Sequence, residues 1–82
     1  MNRFTVKIFK IDGVAIEREV ESLSCQTKSG EITILANHHP LVTILLKGYL
    51  KIKVQNNEER IYINNDCILE FANNEAKILE FF

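Results

Sequence analysis

Eighty-two residues, 46% hydrophobic and 26% charged, are those of one small globular domain spanning residues 1–82. Ten basic and eleven acidic side chains leave a net charge of −1 with no run of like sign, which argues against nucleic acid or an anionic membrane as partner. No apolar run approaches the ~18 residues of a spanning helix, and the N-terminus carries neither a signal- nor a transit-peptide pattern. The expectation is a soluble, bacterial-type cytoplasmic protein without direct membrane insertion.

Phe4, Val6 and Ile8 alternate with Thr5 and Lys7, the period-two pattern of a half-buried strand. Asp12-Gly13 follows as a hairpin turn, because glycine accepts positive φ without steric cost. Residues 14–26 read as a second strand, long enough to need a bend or bulge. Within it, residues 16–23 (IEREVESL) also admit a helical turn, which Val20 and the strand-like flanks disfavour. Ile32, Ile34 and Leu35 make a short strand and residues 41–46 another. After the Lys47-Gly48 turn, Leu50, Ile52 and Val54 alternate with Lys51 and Lys53.

Three asparagine pairs then punctuate the chain: Asn56-Asn57, Asn64-Asn65 and Asn73-Asn74. Asparagine is the non-glycine residue best suited to the left-handed region, so each pair predicts a turn. Strands are expected between them at residues 60–63 and 66–72, and last at 76–81. A turn every ~8–10 residues predicts an all-β sandwich or barrel.

The chemistry-bearing residues are few. His38 and His39 are adjacent, so on an extended chain they point to opposite faces, a poor start for one metal ion. A small metal enzyme using both histidines and a cysteine is the rival to a plain or partner-facing loop. Cys25 and Cys67 read either as a disulfide or as two small buried hydrophobes. No serine stands in a nucleophile elbow, and Gly30 is too isolated for a phosphate loop. Glu17, Glu19 and Glu21 share a strand face at period two, which fits a solvated face better than an acid/base array. No cofactor is implied. Asn37-His38-His39-Pro40 forms a polar loop, with Pro40 holding His39 extended. These residues alone leave open whether that loop meets a partner or merely turns a corner.

The stretch from Val20 to Tyr49, VESLSCQTKSGEITILANHHPLVTILLKGY, resembles the ε subunit of F-type ATP synthases. Glu19-Val20, Thr27, Gly30-Glu31, Ile34-Leu35, His38, Pro40-Leu41, Thr43, Leu45 and Gly48 keep that family's spacing. Gln26, Thr33 and Ala36 stand where the family has Pro, Gly and Pro, Asp66-Cys67 replaces a Gly-Gly, and Lys10-Ile11 a Thr-Pro. The resemblance implies a flattened two-sheet β-sandwich of about 8–10 short strands. It implies a non-catalytic central-stalk rotor component that links the γ subunit to the c-ring and couples proton translocation to ATP synthesis. Such a chain is peripheral, on the cytoplasmic face of the bacterial inner membrane. The ring-facing loops would contain Gly30, Glu31, Asn37, His38 and Pro40, with Glu31 accepting charged hydrogen bonds and His38 adding a polar contact. Members usually continue into a C-terminal helical hairpin that inhibits ATP hydrolysis and in some binds ATP. Residues 1–82 match only the part before it, so neither role is carried over. The alternative is a stand-alone β-sandwich module that binds another protein.

Overall fold

The computed structural model describes residues 2–81; Met1 and Phe82 lie outside it, so the final Glu80-Phe81-Phe82 is described only through Phe81. Every regular element among the described residues is a strand. They are β1 (Phe4–Phe9), β2 (Ala15–Val20), β3 (Ser22–Thr27), β4 (Gly30–Leu35), β5 (Leu41–Leu45), β6 (Gly48–Val54), β7 (Asn57–Ile63), β8 (Cys67–Ala72) and β9 (Glu75–Glu80). The strands hydrogen-bond in the order β2-β1-β9-β8-β5-β3-β6-β7, with β4 paired to β3. Pairing is antiparallel throughout except between β1 and β9, which run parallel.

The all-β expectation holds, with a refinement in how the two layers are made. They are one sheet curled on itself, and β5 meets β3 through the single pair Thr27–Leu45. The inward faces enclose one apolar cluster in which Phe4, Leu23, Leu45, Leu50, Ile63, Leu69, Phe71 and Ile78 are fully buried. The Phe4 and Phe71 rings meet edge-to-face at 5.4 Å and 80°, the arrangement the ring quadrupoles favour.

The long segment at 14–26 is strand on both sides of a corner, and the helical reading of 16–23 fails. β2 pairs with β1, β3 pairs with β4 and β6, and Glu21 alone separates them. The Glu21 N–H donates to the Lys53 carbonyl at 2.8 Å, and its Oε1 accepts from the Gln55 N–H at 2.9 Å. Glu21 therefore leaves the shared face of Glu17 and Glu19 and fixes the corner instead.

The turns follow asparagine chemistry unevenly. Asn73 and Asn74 have φ of 52° and 55° and form a two-residue hairpin between Ala72 and Glu75, the geometry that matches strand twist. The β6–β7 turn lies one residue earlier than expected. The Val54–Asn57 pair closes it, and positive φ falls on Gln55 at 56°. Gly13 has φ of 91° in the β1–β2 connection, where the Val14 N–H donates to Asp12 Oδ1 at 3.0 Å.

Candidate functional site

The residues singled out in the sequence fall into two groups at opposite ends of β4. Gly30 and Glu31 leave the β3–β4 turn, where the buried Thr27 hydroxyl donates to the Gly30 carbonyl at 2.8 Å and accepts from the Ser29 N–H at 3.1 Å. Gly30 has φ of 113°, a conformation that costs other residues strain. Glu31 pairs with Gln26 across the hairpin and lines the outer face of β3, β4 and β6. Asn37, His38 and Pro40 follow the far end of β4, ~13 Å along the strand at ~3.3 Å per residue. The structure gathers Asn37, His38 and Pro40 but does not bring Glu31 to them.

The Asn37 loop is held by a partner that the sequence reading missed. The Asn37 N–H donates to Asn74 Oδ1 at 2.6 Å, and Asn74 Nδ2 donates to Asn37 Oδ1 at 2.9 Å. Both residues have positive φ, so two left-handed turns face each other and satisfy each other's amides. His38 sits on this platform, edge-to-face with Phe71 at 5.9 Å, with Nδ1 2.8 Å from the His39 carbonyl oxygen. The two imidazoles lie 6.3 Å apart rather than on opposite faces, on a segment that has left β4 and is not extended strand. Among the described residues no cluster of three His, Cys, Asp or Glu side chains has metal-binding geometry. A groove of about 290 Å³ runs between β4 and β5, lined by Ile32, Ile34, His38, Leu41 and Thr43 among others.

Cys25 and Cys67 are buried and free. Burial, with a smaller push from the Glu31 carboxylate, raises the Cys25 thiol to about 12. Burial, followed by the Glu80 carboxylate, raises Cys67 to about 11. Thiols so raised are poor nucleophiles and poor metal ligands at neutral pH.

A second surface escaped the sequence reading. Registers place Phe9 beside Leu79, Leu79 beside Ile68, and Ile68 beside Ile44, so one row crosses β1, β9, β8 and β5 on the outer face. All four side chains are exposed, and Val42, two residues along β5, is 69% exposed. Their sequence signal is a lack of alternation: LVTIL, CILEF and AKIL carry apolar residues on both faces of their strands. Lys7 flanks the row, 2.9 Å from Glu75; the bond raises the Lys7 pKa and lowers that of Glu75. Large exposed apolar patches mark docking sites. No helix of the described residues is long and apolar enough to cross a membrane.

Comparison with known proteins agrees with this architecture. An ATP synthase epsilon chain of Wolbachia pipientis wMel is 37% identical over 79 residues, which are 96% of this chain and 69% of that relative. A chain of the Euglena gracilis mitochondrial ATP synthase, solved as OSCP/F1/c-ring in rotational state 1, has the same fold at TM-score 0.83 and 16% identity. So has a chain of the Tetrahymena thermophila mitochondrial ATP synthase central stalk/c-ring, at TM-score 0.73 and 15% identity. The matches cover 98% and 95% of this chain but only 51% and 63% of those two chains. Residues 3–80 match the family described as ATP synthase, Delta/Epsilon chain, beta-sandwich domain, and the chain belongs to that family.

Proposed function

We propose that residues 1–82 act as one non-catalytic rotor unit of an F-type ATP synthase central stalk, gripping the γ subunit and resting on the c-ring. The observation that carries this is the apolar row Phe9–Leu79–Ile68–Ile44. An exposed apolar stripe across four strands is a surface for another protein to cover, which fits the broad contact a rotor subunit makes. The family and the solved neighbours support the same reading. In it γ covers the row, and the ring meets the edge of β4. Contact along that edge accommodates both groups, Gly30 and Glu31 at one end and Asn37, His38 and Pro40 at the other. Torque passes between ring and γ through the curled sheet. The working location is the cytoplasmic face of the bacterial inner membrane, where the domain is peripheral.

Co-purification with the γ subunit of the same genome tests the reading. A one-to-one complex, lost with Ile68→Glu in a domain that still folds, is the expected result. A folded parent that forms no complex overturns the γ contact and leaves a sandwich serving another protein. The ring contact is tested separately with the double variant Glu31→Gln, His38→Ala, which should retain γ and weaken ring docking. A double variant that couples like the parent removes both residues from that role.

A further inference from the structure

The sheet has a second outer face, formed by β4, β3, β6 and β7, and its character is the opposite of the apolar row. Lys51 and Arg60 stand directly opposite each other on β6 and β7. Like charges in register destabilise a sheet, so the pair costs the fold something it does not need for its core. Among the described residues Lys51 makes no ion pair, and Arg60 spends only Nε, at 3.2 Å from Glu58. Next to Lys51 in register is Ser24, whose hydroxyl lies 2.9 Å from that of Thr33. Two cations and two hydroxyls thus form one straight row across four strands.

Beside this row Tyr49 and Tyr62 stack edge-on, with ring centroids 5.0 Å apart, yet remain 62% and 46% exposed. A shallow shelf of about 310 Å³ joins Tyr49, Lys51, Arg60 and Ser24, with Glu31 and Gln26 at its border. Tyrosine and arginine are among the residues enriched at the energetic centre of protein interfaces.

We propose that this face docks an acidic segment of a partner protein, with a carboxylate seated between Lys51 and Arg60 and a neighbouring apolar side chain on Tyr49 and Tyr62. The occupant follows from charge complementarity. The row offers donors and no acceptor but the hydroxyls, and a carboxylate would relieve the Lys51–Arg60 repulsion that the isolated fold retains. The shelf is too open to enclose a small ligand, so the aromatic pair gains contact area only from a partner with a surface of its own. Glu31 at the border disfavours a further negative charge there and sets the register of the acidic segment. This surface shares no residue with the apolar row, so it can be occupied together with that row.

The test is a titration of the isotope-labelled domain with a peptide alternating glutamate and leucine, followed by NMR. Expected are saturable shifts at Ser24, Thr33, Tyr49, Lys51, Arg60 and Tyr62 that weaken with added salt. Arg60→Glu should weaken binding about tenfold or more. The same variant should shift the thermal midpoint little, because attraction between the introduced carboxylate and Lys51 offsets the loss of the exposed Arg60–Glu58 pair. A peptide alternating lysine and leucine should not bind. Absence of shifts in the folded parent overturns the proposal, as do shifts confined to the Phe9–Ile44 row. Equal shifts with inorganic phosphate make the face a small-anion site and overturn it too.

Discussion

Arg18 on β2 and Glu59 on β7 join the two ends of the strand order, with Nε 3.1 Å from Oε1 and Nη2 3.4 Å from Oε2. Arg18 pairs in register with the buried Val6, and Glu59 with the buried Ile52, so both side chains start from the inward face at the sheet margins. The forked contact closes the seam that the curl leaves open. A double-mutant cycle with Arg18→Ala and Glu59→Ala should give a coupling of about 0.5–1 kcal/mol, the modest size of a solvent-exposed pair. Amide exchange should quicken in β2 and β7 and not in β8. Equal protection in the variants would mean that the core alone holds the seam shut.

Asn74 serves the backbone and the Asn37 loop at once. Asn74→Ala should cost about 1–2 kcal/mol, through the positive φ and the lost amide pair. Asn74→Gly should recover only the backbone part. Urea midpoints of the two variants separate the contributions, and identical midpoints would show that the amide pair adds nothing.

Phe71 lies under both the core and the His38 platform. Phe71→Ala should cost about 3–5 kcal/mol, which approaches the whole stability of about 4–8 kcal/mol expected for a domain of this length. A thermal melt should show a fall large enough to leave much of the chain unfolded at 37 °C.

The buried thiols make an alkaline prediction. The Cys25 pKa is raised above its usual 9.0 to about 12, so the folded state keeps a proton that the unfolded state releases. Its contribution is fully present below pH 9 and is lost as pH climbs toward 12. Stability should therefore decline across that window, and Cys25→Ala should flatten the decline whatever its effect at pH 7. A slope unchanged by the substitution would assign the alkaline loss to other groups.

Much of the fold was legible because alternation is a local signal. β1 and β6 could be read from Phe4-Val6-Ile8 and Leu50-Ile52-Val54, and the need for a bend somewhere in residues 14–26 from the excessive length of one strand-like run, though not its place at Glu21. What could not be read depends on partners distant in sequence. Nothing near Asn37 announces Asn74, and nothing near Val54 places positive φ on Gln55 rather than on the asparagines that follow. The outer apolar row was hidden for a similar reason: Phe9, Leu79, Ile68 and Ile44 become neighbours only once four strands are in register. Gly30-Glu31 and His38 were picked out by their family spacing, but that spacing does not reveal that β4 keeps them at opposite ends.

The parallel pairing of β1 with β9 sets the first strand of the domain against the last, with Val6 opposite Ala76 and Ile8 opposite Ile78. A chain emerging from the ribosome can close the β1–β2 hairpin early, yet β1 has no second strand partner until β9 arrives. Folding is then a late, concerted event with high contact order, slow for so short a chain. Until that moment β1 offers an open edge and an apolar face to any neighbouring strand, so the interval before β9 is made is when this protein is most exposed to aggregation.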